Sequence, residues 1–126
     1  MGFVIEKHTD PPRTQVTHKP MLDKLYKIAA GLNNKFPDGN DPFMIVTRLA
    51  EECGEVASEV NHFERKGVKV ARRGAPDRKK FAKELQDVMG AVLQLALYYD
   101  LRSELEASID AYYRRVVDEG LVEPLD

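Results

Sequence analysis

Arg48-Leu49-Ala50-Glu51-Glu52-Cys53-Gly54-Glu55-Val56-Ala57-Ser58-Glu59 opens the stretch that decides this fold, which runs on to Tyr99 and contains a second acidic phrase, Glu84-Leu85-Gln86-Asp87. Both phrases lie inside long apolar-periodic runs. At about 100° of rotation per residue, Glu52, Glu55 and Glu59 fall within roughly 60° of one another, and Glu51 points further out. Their stripe borders that of Ile45, Leu49, Val56, Val60 and Phe63. Glu84 and Asp87 are likewise about 60° apart, beside Val88, Ala91 and Leu95. Two helices pairing their apolar stripes bring Glu52, Glu55, Glu84 and Asp87 to one edge of the contact. Such a cluster repels itself and resists desolvation. A hard divalent cation resolves the conflict, because Mg²⁺ and Ca²⁺ prefer carboxylate oxygen.

Working outward, Asp41 is placed to cap the first of these helices, with Pro42 in its first turn. The pattern carries that helix to about Arg65, with Gly67 as its stop. A basic connection follows from Lys66 to Lys80, broken by Gly74-Ala75-Pro76. Asp77 can cap the next helix, which continues to about Tyr99. It is apolar nearly all round: Leu93 and Leu97 lie opposite Glu84, with Leu85, Met89 and Val92 between. A helix apolar on both sides is central or shared with a second chain.

Upstream, Met21, Leu22, Leu25, Ile28, Ala29 and Leu32 predict a helix starting near Thr17 to Pro20 and stopping by Asn33-Asn34. Residues 1–19 read as an arm, with Pro11-Pro12 opposing regular structure. Downstream, Ser103 with Glu106 has the spacing of a capping box, opening a last helix that ends at Gly120. No strand alternation appears. The expectation is a single all-α domain over residues 20–126, a four-helix bundle.

The 126 residues are 43% hydrophobic and 32% charged with net charge −2, which fits a soluble globular domain and opposes a general nucleic-acid binder. The single Cys53 excludes an intramolecular disulfide and is expected as a small core residue. No apolar run has membrane-span length, so a cytoplasmic protein without membrane contact is expected.

The Glu51-Glu52-x-x-Glu55 phrase, the basic connection, and Glu84-x-x-Asp87 followed by an apolar helix together resemble the all-α nucleoside triphosphate pyrophosphohydrolases, and within them the MazG-like branch. The resemblance covers the two central helices; the outer helices match in pattern, and the arm does not match. It implies Mg²⁺-dependent hydrolysis of a nucleoside triphosphate to monophosphate and pyrophosphate by a homodimer or homotetramer. Carried over by position, the metal ligands are Glu52, Glu55, Glu84 and Asp87, with Mn²⁺ able to replace Mg²⁺. Phosphoribosyl-ATP pyrophosphatases and enzymes specific for deoxyuridine or deoxycytidine triphosphate share this carboxylate logic.

The chemistry then assigns further roles. A carboxylate not committed to metal can take the proton of the attacking water; Glu55 is favoured, with Glu51 and Glu59 as alternatives. Basic side chains hold the phosphates: Lys80 first, one turn before Glu84, then Arg48, one turn before Glu52. Arg72, Arg73, Arg78 and Lys79 form a second tier. Without Trp, base stacking falls to Phe36, Phe43 or Tyr98. Against these stand plainer readings: Glu51 and Glu59 as the wet flank of an amphipathic helix, Lys80 as an i,i+4 partner of Glu84, and the whole chain as a non-catalytic oligomerisation module. Glu59-x-x-His62 has the spacing used in di-iron bundles, but no second copy of it occurs.

Overall fold

In the computed structural model, residues 10–65 and 74–125 are described, with side chains from residue 20 onward. Four α-helices and no strand occur among them: α1 (Asp10–Lys35), α2 (Pro42–Phe63), α3 (Arg78–Tyr98) and α4 (Arg102–Asp118), with a short 3₁₀ turn at Pro37–Gly39. The all-α expectation holds. None of these helices is long and apolar enough to cross a membrane.

α3 is the central element. α2 packs along one side of it, α1 along another, and α4 touches it more lightly. The start of α2 lies against the later part of α3, and the end of α2 against the start of α3. Arg48 meets Gln94, Glu59 meets Lys80, and Phe63 meets Phe81 with ring centroids 5.1 Å apart. The two helices are therefore antiparallel. Tyr26 and Ala29 of α1 pack with Leu93 and Ala96 of α3, flanked by Leu22, Leu25, Leu97 and Leu105.

Both predicted caps on the central helices form. Asp41 accepts from the Met44 amide at 3.0 Å, and Asp77 accepts from those of Lys79 and Lys80 at 2.9 and 3.3 Å. α1 begins earlier than expected. Its backbone is helical from Asp10, so residues 10–19 extend it, and Pro11 and Pro12 fall in a first turn whose N–H groups lack acceptors. α2 stops at Phe63 rather than near Arg65, where a left-handed backbone (φ 55°) turns the chain; the expected stop at Gly67 lies outside the described residues. The Ser103–Glu106 capping box does not form. Left-handed Asp100 (φ 54°) closes α3 and delivers Leu101 straight into the N-cap of α4. Glu106 instead accepts from Arg102 at 2.7 Å, and Arg102 also reaches Asp23 of α1 at 2.6 Å. Gly120 (φ 75°) closes α4 as anticipated.

Two expectations about helix faces change. Leu93 is buried within the protomer, under α1, so it is not the side of α3 left for a partner; Leu85, Met89 and Val92 are the exposed ones. On α2 the inward line runs through Ile45, Glu52 and Glu59, which repeat every seven residues and so keep nearly one bearing. Glu59 is 1% exposed while Val60 is 44% exposed. Glu59 is therefore not on the wet flank. Cys53, one residue beyond the Glu52 bearing, is turned out to solvent rather than into the core.

Candidate metal and phosphate site

The seam between α2 and α3 carries a ladder of polar side chains whose middle rung is acidic. Glu52, Glu84 and Asp87 each offer a carboxylate oxygen, and these lie within 4.8 Å of one another, each side chain half-buried. The inward bearing of Glu52 meets the Glu84–Asp87 pair because the antiparallel register sets one rung against the other.

The electrostatics record the strain of that convergence. The Glu52 carboxyl is pushed above its usual range, first by burial, then by the charges of Asp87 and Glu84, a hydrogen bond with Glu84, and the charge of Glu55. Glu52 Oε2 is buried with no hydrogen-bond partner. Lys83 is ion-paired with Asp87 one turn along α3. That hydrogen bond is the main cause raising the Lys83 ammonium above the ordinary range, with burial opposing it and the charges of Asp87, Glu52 and Glu84 adding to it. An orphaned carboxylate oxygen among oxygen-only donors fits a hard divalent cation.

Glu55, expected as a fourth ligand, lies exposed outside the group of three, close enough for its charge to act on Glu52. Glu51 is exposed on the outer face. Lys80 ion-pairs with Glu59, Nζ to Oε2 at 3.9 Å, rather than with Glu84. Arg78 is exposed in the first turn of α3, whereas Arg72 and Arg73 lie outside the described residues. His62 turns from any carboxylate site, its Nε2 lying 2.7 Å from the Gly74 carbonyl oxygen.

At the other end of the ladder Arg48 is held by neutral amides. It donates to Asn40 Oδ1 at 2.7 Å and Gln94 Oε1 at 3.4 Å, and Gln94 donates to Asn33 at 3.0 Å. Asn40 in turn donates to the Leu32 and Phe36 carbonyls. Among the described residues no carboxylate neutralises Arg48. Between this network and the acidic rung opens a cleft of about 360 Å³, walled by Leu25, Ile28 and Leu32 and floored by Gly90 and Ala91. Phe36, Phe43 and Tyr98 do not line it.

Lys83 and Gln94 also line the cleft, beyond the residues expected from the motifs. Lys83-x-x-x-Asp87 is an i,i+4 pair legible from spacing. Gln94, an amide between Leu93 and Leu95, was a visible break in an apolar run. Comparison with protein families, curated proteins and solved structures gave no match.

Proposed function

We propose that the chain is a divalent-metal-dependent nucleoside triphosphate pyrophosphohydrolase of the MazG-like kind, acting in the cytoplasm as a homodimer or homotetramer. One observation carries the reading: three carboxylate oxygens from two antiparallel helices within 4.8 Å of one another. Glu52, Glu84 and Asp87 would hold Mg²⁺ or Mn²⁺, with Glu55 adjoining. When bound, such a cation neutralises phosphate oxygens and lowers the pKa of an attacking water.

The rest falls to the chain's own groups. Water attacks the α-phosphorus, its proton passes to Glu55, and the bond to the bridging oxygen breaks to release pyrophosphate. Lys80 and Lys83 offset charge on the phosphates, and the adjoining cleft receives the nucleoside between aliphatic walls. Its 360 Å³ lies in the range of small-molecule sites. Arg48, fixed at the cleft by amides, keeps its charge for the ligand.

Exposed Leu85, Met89 and Val92 support self-association. They equally favour a second reading, a non-catalytic oligomerisation module. A panel of nucleoside triphosphates with Mg²⁺, scored for pyrophosphate release, separates the two: release from any nucleotide supports the enzyme, and none across the panel supports the module.

A further inference from the structure

We infer that Arg48 reads the nucleobase, selecting nucleotides whose base carries a keto oxygen over those carrying an exocyclic amine, an inference that rests on the proposed function. The hydrogen-bond directions around Arg48 are set from outside the cleft inward. The Asn40 amide nitrogen donates to two main-chain carbonyls, Leu32 at 3.0 Å and Phe36 at 2.6 Å, which spends both of its hydrogens. Asn40 is buried, so its oxygen is left to face Arg48 and Gln94. That oxygen accepts from Arg48 Nη2 at 2.7 Å and from Gln94 Nε2 at 3.5 Å. Gln94, also buried, donates to Asn33 Oδ1 at 3.0 Å, and its own oxygen accepts from Arg48 Nη2 at 3.4 Å.

The amides are thus spent on one another and on Arg48. Both bonds of the guanidinium leave from Nη2, so Nη1 and Nε keep their hydrogens for a ligand, and arginine has no acceptor to offer. Arg48 and Gln94 are the polar side chains lining the cleft at the end away from Glu52 and Asp87. Gln94 lies two turns beyond Asp87 on α3, about 10 Å along the axis, the reach of a sugar and base. A nucleotide whose α-phosphate meets the acidic rung therefore brings its base to Arg48, while the basic first turn of α3 lies on the opposite side of Glu84. A keto oxygen at this end gains a charge-assisted hydrogen bond. An amine there sets its own hydrogens against a cation, which is discrimination by repulsion as well as by attraction.

Matched substrates test this in the intact protein with Mg²⁺. Inosine and adenosine triphosphates differ along one edge of the base, where the first carries a keto oxygen and the second an amine; uridine and cytidine triphosphates form the corresponding pyrimidine pair. Their kcat/KM values are compared, in ribose and deoxyribose forms, for wild type, Arg48→Met and Arg48→Lys. Wild type is expected to favour the keto member of each hydrolysed pair by about tenfold or more. Arg48→Met brings that ratio close to one by lowering the keto member, and Arg48→Lys, which keeps the charge without the planar fork, falls between. Each ratio is taken on one preparation, so a fraction of misfolded protein does not move it. Should Arg48→Met not fold at all, an unchanged ratio in Arg48→Lys overturns the inference. Equal loss for both members of a pair, the signature of a phosphate contact, overturns it as well. An active wild type that treats the members alike, or favours the amine, removes this inference alone. A wild type that releases no pyrophosphate from any nucleotide removes the enzymatic reading and this inference with it.

Discussion

Glu52 of α2 faces Glu84 of α3 across the helix seam, their ligand oxygens and one from Asp87 all within 4.8 Å, and this proximity helps hold the Glu52 carboxyl protonated beyond its usual range. The seam thereby gathers like charges at a cost to folding.

Stability of the metal-free protein should show this directly. Because the folded-state pKa of Glu52 is raised above its ordinary 4.5, the folded chain binds more protons than the unfolded one just above that pH. Stability is then lost as pH rises through this window, and the loss persists at neutral pH. Glu52→Gln should consequently raise the metal-free Tm at pH 7 by about 2–5 °C. A lower Tm in this variant would show that Glu52 is satisfied in some other way.

Divalent cations should reverse the effect in wild type. A ligand that binds only the folded state at a hundred times its Kd adds about 2.7 kcal/mol. Millimolar Mg²⁺ or Mn²⁺ should therefore raise the wild-type Tm by several degrees and leave that of Glu52→Gln nearly unmoved. Equal responses in the two proteins would place the cation elsewhere.

Gly90 offers a separate handle on the cleft. A Cβ built there meets nothing within 4 Å, so Gly90→Ala should stabilise α3 by about 1 kcal/mol through helix propensity. Gly90→Leu should fold as well but fill the cleft, raising KM for nucleoside triphosphate at least tenfold while Mn²⁺ affinity holds. An unchanged KM would move the nucleoside out of the cleft.

Self-association follows from the uncovered side of α3. Met89 is 50% exposed and Leu85 47%. Wild type should scatter light as a dimer or larger species at micromolar concentration, and Met89→Glu should shift it toward monomer. A well-folded wild-type monomer would refute the oligomer.

Much of this architecture was legible because it rests on local chemistry. Asp41 and Asp77 mark helix starts through their own side-chain hydrogen bonds, and helical phase puts Glu52, Glu84 and Asp87 beside the apolar seams, although it puts Glu55 there too, which the packing of α2 on α3 leaves outside the group of three. Glu59 is not legible as an inward residue, because hydropathy prefers Val60 inside. The seven-residue repeat from Ile45 through Glu52 outweighs that preference once α3 supplies Lys80. Ser103 mimics a cap, yet α4 starts at Arg102, since the left-handed turn at Asp100 sets its entry and is invisible in a capping motif. The cradle around Arg48 joins Asn33, Asn40 and Gln94, residues far apart in the chain that only the packing of α1, α2 and α3 brings together.

Asp87→Asn tests the central claim most directly, since it removes one charge from the rung at almost constant shape. Pyrophosphate release from the best nucleotide of a panel, measured with Mg²⁺ for wild type and this variant, should fall by at least 10²–10³-fold in the variant and vanish for wild type in excess chelator. Full activity in Asp87→Asn, or wild-type turnover indifferent to chelator, would contradict a carboxylate-held metal site between α2 and α3.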